Sequence, residues 1–381
     1  YTLSLHDALP IFVNKLHCGA VFACSTRGRQ NVRSEMAERD LQIVFSVVKY
    51  ASIIIVPITL FVCVRTAWLN QTVGYGANLY GGFGSSSMNL ILYAYMPCLF
   101  GLLIGSKYET RTARVVYALL IVYIILSILS GDRGTWVPAL FVFFWLHVVY
   151  KGRPKLSLII AVLLGGFILA VGLSLLRDFR ATGFDAGKLG TIVNSYLIGD
   201  NNPIVALLAE AGSNMKIVLV FLQDPVPHYP YGNSYLLAIP GMFTEKIIRI
   251  FQPEYISVGT WFDRQYLGIS YGAGFSAFAE PLMNFGTAIA PLVMAAFGAI
   301  SCKIMNITES DKQSRPLKMF AAASIAPYLF LLSRNTFLAE CKSIFWGVLT
   351  LFFIMLTVRS NSTKQLGETT LEKNKGLRLE F

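Results

Sequence analysis

The chain has 381 residues, 55% hydrophobic and only 14% charged, against about a quarter charged in an ordinary soluble domain. Its net charge of +11 would suggest nucleic acid in a soluble protein. Here the basic residues stand between long apolar runs, where topology accounts for them, and no basic face interleaved with aromatics marks a nucleic-acid site.

A bilayer core takes roughly 20 apolar residues per helical crossing, and eight runs approach or reach that length. Before them, Tyr1 to Phe12 resembles a translated sequencing adapter and is set aside as a non-native artefact, with helices expected to be missing upstream. Residues 13–40 read as a cytoplasmic segment. The first run is Ile43 to Val64, interrupted by Lys49 and Pro57; the second is Met88 to Ile104. Val115 to Ser130, Trp136 to Tyr150 and Leu156 to Leu176 complete a first membrane block, residues 41–176. Hydrophobicity then falls across residues 177–281. Leu282 to Cys302, Met319 to Leu332 and Ser343 to Val358 form a second block, residues 282–358, and a polar tail fills 359–381. Cys63 and Cys98 lie inside apolar runs and read as small packing hydrophobes.

The basic residues alternate in sidedness. Arg39 precedes the first run, Lys107, Arg111 and Arg114 follow the second, and Lys151, Arg153 and Lys155 follow the fourth. Lys303, Lys312, Arg315 and Lys318 follow the sixth, and Arg359 follows the eighth. The intervening short connections carry few cations. Eight crossings with both ends cytoplasmic fit this pattern, and residues 177–281 then form one large outer loop. Within it, Pro203 to Gly212 and Met215 to Leu222 are amphipathic, too short to span, and expected to lie on the membrane surface.

The outer side carries four arginines near helix ends: Arg133 in "SGDRGT", Arg177 and Arg180 in "RDFR", and Arg334 in "SRNT". A guanidinium offers a fixed fork of donors that matches phosphate oxygens, so a converging set would hold a lipid pyrophosphate. Pairing of Arg133 with Asp132, or of Arg177 or Arg180 with Asp178, is the plain alternative. His228 is the histidine of the outer segment, either a general base or a solvated loop residue. Glu280, at the mouth of the sixth run, is open to three roles: binding sugar hydroxyls, acting as base, or orienting an arginine. No GxxxxGK[ST], HExxH, paired CxxC, GxSxG or outer DxD motif occurs, so neither cofactor nor metal is expected.

"SGDRGT", "RDFR", "GNSYLLAIPGMF" and "GFSAFAEPLMNFG", in this order and sidedness, resemble the Wzy-type O-antigen polysaccharide polymerases from about Leu41 to Arg359. The resemblance implies an all-α polytopic, GT-C-like membrane glycosyltransferase with about eight helices and a large periplasmic loop. Such an enzyme transfers a growing glycan from undecaprenyl pyrophosphate onto a newly flipped lipid-linked repeat, at the periplasmic face of the inner membrane. Its implied partners are undecaprenyl-pyrophosphate-linked glycans, the bilayer, a chain-length regulator and a flippase. The matching positions are Arg133, the Arg177 and Arg180 pair, and Glu280 with Asn284, Phe285 and Gly286. The competing readings are a transporter or flippase of lipid-linked oligosaccharide and an O-antigen ligase.

Overall fold

The computed structural model describes residues 34–72, 89–130, 136–157, 160, 165, 212, 215–224, 233–269, 274–308, 311 and 314–361. Among the described residues the regular structure is helical, with no strand. In chain order the helices are α1 (Ser34–Thr72), α2 (Asn89–Leu92), α3 (Tyr95–Gly105), α4 (Thr110–Leu129) and α5 (Val137–Lys151). A helix over 215–223 is α6. Then come α7 (Asn233–Gly241), α8 (Glu245–Phe251), α9 (Val258–Trp261), α10 (Glu280–Met305), α11 (Pro316–Leu331) and α12 (Phe337–Ile344). The helix begun by α12 runs on through a π-turn, Phe345–Leu349, to Asn361.

Among the described residues, four helices are long and apolar enough to cross a membrane: Met36–Asn70, Thr110–Leu129, Glu280–Met305 and Phe337–Asn361. Three shorter apolar helices are Leu90–Gly105, Val137–Lys151 and Pro316–Leu331. Together these seven coincide with seven of the eight apolar runs. The run Leu156 to Leu176 falls almost entirely outside the described residues.

The short helices form the centre. Nine of the eleven residues of α3 are buried, as expected for a helix that is apolar all round. α11 packs against α1, α3, α5, α10 and α12. Its "FAAASIAP" stretch is small-sided and buried, which lets neighbouring backbones approach closely. Gly105 of α3 makes the same accommodation for α1: a Cβ there would lie 2.7 Å from the Phe45 Cα. Cys63 and Cys98 are buried, as packing residues.

The long helices surround this centre and leave much of their apolar surface outside. Only 17% of the most apolar window of α10 is buried in protein, and Ile289, Leu292 and Ile300 stand exposed. On α1, Ile53, Ile54, Phe61 and Trp68 do the same. Apolar surface this continuous is not left to water; its solvent is lipid, and the protein is a multi-pass membrane protein.

The two ends of the bundle differ chemically. At the start of α1, Glu38 pairs with Lys107 and Asp40 with Arg359 at 2.8 Å, which gathers the α3–α4 connection and the far end of the last helix. At the other end of α1, the Asn70 amide donates to the Ser130 carbonyl at the end of α4.

The α10–α11 connection is closed by Asp311. Its Oδ2 accepts from Lys318 Nζ and from the Thr308 N–H, each at 3.0 Å, and Lys318 Nζ also donates to the Asn306 carbonyl at 2.6 Å. Burial opposes ionisation of Asp311, but these donors outweigh it and hold its carboxyl well below the usual range. The native state therefore binds the proton less readily than the unfolded chain does. The resulting stabilisation is fully present above the unfolded value of about 3.9 and is lost as pH falls through the native one. Asp311→Asn is expected to lower thermal stability in detergent at pH 7, with the deficit against the parent protein shrinking below about pH 4. A deficit that grows on acidification would contradict this account.

Candidate functional site

Two stretches whose contacting residues are 46 to 50 positions apart meet at the start of α10. Glu280 opens that helix and is 1% exposed. Its Oε2 accepts from the Ser234 hydroxyl at 3.0 Å, and its Oε1 from the Phe337 N–H at 2.6 Å. One turn on, the Asn284 amide donates to Ser234 Oγ at 2.7 Å and to the Glu280 carbonyl at 2.8 Å, while its oxygen accepts from the Ser234 N–H at 3.2 Å. Phe285 stacks on Tyr235 with ring centroids 6.1 Å apart, and Phe337 meets the same tyrosine edge-on at 5.0 Å. Gly286 has φ 67° and ψ −173° and kinks α10. That region is accessible essentially to glycine alone. Ser234 and Tyr235 thus pack against "EPLMNFG", and both stretches engage the first residue of α12.

The N-terminus of α12 is capped twice. Thr336 Oγ1 accepts from the Ala339 N–H at 3.3 Å, and Glu280 takes the Phe337 N–H, so two of the four N–H groups left over at a helix start are satisfied. The other side of this turn faces α1, α4 and α11 across a partly open cavity of about 450 Å³. Thr66, Ser127, Ser130, Ser324, Asn335 and Ser343 supply polar groups to its wall, Tyr93, Tyr123 and Tyr328 supply rings, and Glu340 supplies a carboxylate. The Tyr328 hydroxyl donates to the Tyr93 carbonyl at 2.8 Å. Gly347, in the π-turn, lets the last helix close onto that same carbonyl; a side chain there would collide with it.

A second apolar cluster supports the approach to this site. Ile217, Val218 and Phe221 of α6 pack with Phe262, Phe275 and Met283, so these side chains of α6 lie on protein. The Tyr266 phenol donates to Asp224 Oδ2 at 2.7 Å. Burial, followed by Asp224, pushes it up to about 12, so it remains a donor.

Of the residues singled out in the sequence, Arg133, Arg177, Arg180 and His228 lie outside the described residues. Arg334 is exposed on the turn between α11 and α12, next to the cavity residue Asn335. Glu280 faces the Ser234 and Phe337 donors, with both oxygens engaged. The sequence reading missed Glu340. The eighth apolar run starts at Ser343, but the helix starts six residues earlier at Phe337 and so includes Glu340, a carboxylate inside an apolar helix, which by itself marks a functional candidate.

One end of the apolar bundle thus keeps a hydroxyl-lined, acid-bearing cavity. The chain matches the family described as O-antigen polysaccharide polymerase Wzy over residues 14–365, nearly its whole length, and it belongs to that family. No curated protein and no solved structure matches it. Membership makes it an O-antigen polymerase, with a glycosyltransferase-type activity on lipid-linked oligosaccharide units in the membrane.

With Glu280 as a brace, Glu280→Gln will lose less thermal stability than Glu280→Ala, because its amide oxygen still accepts from Phe337 while its NH2 faces Ser234 as a donor in place of an acceptor. Glu280→Ala strands the Ser234 hydroxyl and the Phe337 N–H and will cost about 1–3 kcal/mol for each buried unsatisfied group. Gly286→Ala, forced into a strained region, will cost roughly 1–3 kcal/mol. Thermal unfolding in detergent checks all three. A Glu280→Gln variant that is fully stable yet inactive would instead make Glu280 part of the chemistry.

Proposed function

We propose that the protein polymerises undecaprenyl-pyrophosphate-linked repeat units into O-antigen or a related surface polysaccharide at the periplasmic face of the inner membrane. The observation that carries this reading is the hydroxyl-lined cavity, bounded by the turn that bears Arg334. A glycan offers many hydroxyls and apolar ring faces, which suit serine, asparagine and tyrosine walls. Its volume lies within the range of small-molecule sites, about 300–1,000 Å³. The lining includes no Lys or Arg among the described residues, so the sugar occupies the cavity and the pyrophosphate stays at the arginine-bearing rim.

Sidedness follows from the basic connections. Lys107, Arg315, Lys318 and Arg359 belong to the end opposite the cavity, and an excess of Lys and Arg marks the cytoplasmic side. Both termini of the helical core are then cytoplasmic, and the cavity end is periplasmic. Ser130 lines the cavity three residues before Arg133. This supports Arg133, with Arg177 or Arg180 and Arg334, as the cradle for the leaving pyrophosphate. As the glycosidic bond breaks, negative charge grows on that group, and fixed guanidinium donors stabilise it. His228 is an alternative proton acceptor on the same side.

Loss of the gene should leave lipopolysaccharide capped with a single repeat, read on a gel; loss of every capped species would favour a flippase or a ligase. Arg334→Ala and Arg133→Ala should each lower chain elongation in proteoliposomes by about 100- to 1,000-fold. Arg334→Lys should also be impaired, because lysine keeps the charge without the fork. Unchanged ladders from well-expressed alanine variants would remove the cradle.

A further inference from the structure

The cavity holds two polar groups that find no partner among the described residues. Glu340 is 2% exposed, and its Oε2 is buried without a hydrogen-bond partner. Ser324 is fully buried, and its hydroxyl is likewise without a partner. Both residues line the same space. A buried polar atom left unpaired costs about 1–3 kcal/mol, and such atoms are rare enough to call for a reason.

The local geometry sets Glu340 apart from an ordinary helix cap. Thr336 is the N-cap of α12, so a capping-box carboxylate would stand three residues on, at Ala339. Glu340 stands one residue beyond that and turns toward the cavity wall. Its Oε1 is held by the Asn335 amide, which fixes the carboxyl plane and leaves Oε2 available. The residues around it, Tyr93, Tyr123 and Tyr328, are neutral, and none of the described lining residues is a cation that would neutralise it. An acceptor oxygen held this way fits a ligand that brings a hydroxyl donor.

We propose that Glu340 is the general base of the polymerisation, accepting the proton of the attacking sugar hydroxyl at Oε2, with Ser324 holding a neighbouring hydroxyl of the same sugar. This rests on the polymerase reading above. The acceptor oxygen forms a bond to the anomeric carbon of the donor glycan while the bond from that carbon to the pyrophosphate oxygen breaks. The bonding electrons leave with the lipid pyrophosphate, and the hydroxyl proton passes to Glu340, which returns it to water before the next cycle. Asn335 acts as a positioning residue, by fixing Oε1.

The test uses the full chain in proteoliposomes, with a lipid-pyrophosphate-linked repeat unit as substrate. Glu340→Gln keeps the shape and the Asn335 contact but cannot accept the proton. Its kcat should fall about 100- to 10,000-fold, the range of general acid–base contributions, with KM and thermal stability unchanged. Glu340→Ala should be equally slow and should recover part of its rate in high concentrations of formate, which a merely structural residue would not do. If wild type elongates chains and Glu340→Gln stays within threefold of it, the base assignment is overturned and the polymerase reading stands. A folded Glu340→Gln variant with raised KM and unchanged kcat would also overturn it, since that pattern is substrate binding alone. If wild type moves lipid-linked repeats across the bilayer without joining them, the polymerase reading fails and this inference fails with it.

Discussion

The buried carboxylate of Glu280 is the interaction on which the site end of the bundle depends. It lies at the mouth of a membrane-crossing helix, where an unanswered acid would be costly. Two donors from two other segments answer it: the Ser234 hydroxyl of α7 and the Phe337 N–H of α12. Asn284 completes the network by gripping the same serine from both sides. A polar network this far from water is either fully satisfied or strongly destabilising. Satisfying it fixes where α7 and α12 sit relative to α10, more narrowly than apolar contacts among interchangeable side chains could.

From that constraint the cavity follows. With the start of α12 anchored on Glu280, the turn bearing Arg334 and Asn335 is set against the ends of α4 and α11. Asn335 then reaches Glu340, and the rest of the last helix closes through Gly347 onto the Tyr93 carbonyl. The α7 side adds a second tie, since the Trp346 indole donates to the Met242 carbonyl at 2.8 Å. The same helix therefore carries a braced, fully paired face and a face with an unpaired carboxylate oxygen. The rigidity of the first is what holds the second in position for chemistry.

The bundle resolves its two solvents by helix length. The helices long enough to cross keep broad apolar faces for lipid, while short α3 and α11 are enclosed by them and carry small or aromatic residues that fit closely. Because lipid tails are as apolar as the helices themselves, burial alone gives little preference for one helix neighbour over another. Close approach at Gly105 and the hydrogen bonds from Tyr95 to the Leu119 carbonyl and from Tyr328 to the Tyr93 carbonyl supply that preference.

The sequence by itself determined that the chain lives in a membrane, where its apolar helices run and which connections are basic, because these follow from local composition and a length set by the bilayer. It also carried the family resemblance, and in "NFG" a glycine whose backbone demand became visible only as the kink at Gly286. Only the tertiary structure decided what the polar residues among the helices do. Glu280 and Glu340 are both acids in the first turn of an apolar helix, and nothing in their local sequence separates them. In three dimensions one has donors on both oxygens and the other has an oxygen without a partner beside a cavity. That difference arises from contacts between residues far apart in the chain, 46 and 57 positions for the two donors of Glu280 and more for the cavity wall beside Glu340, which no periodicity encodes.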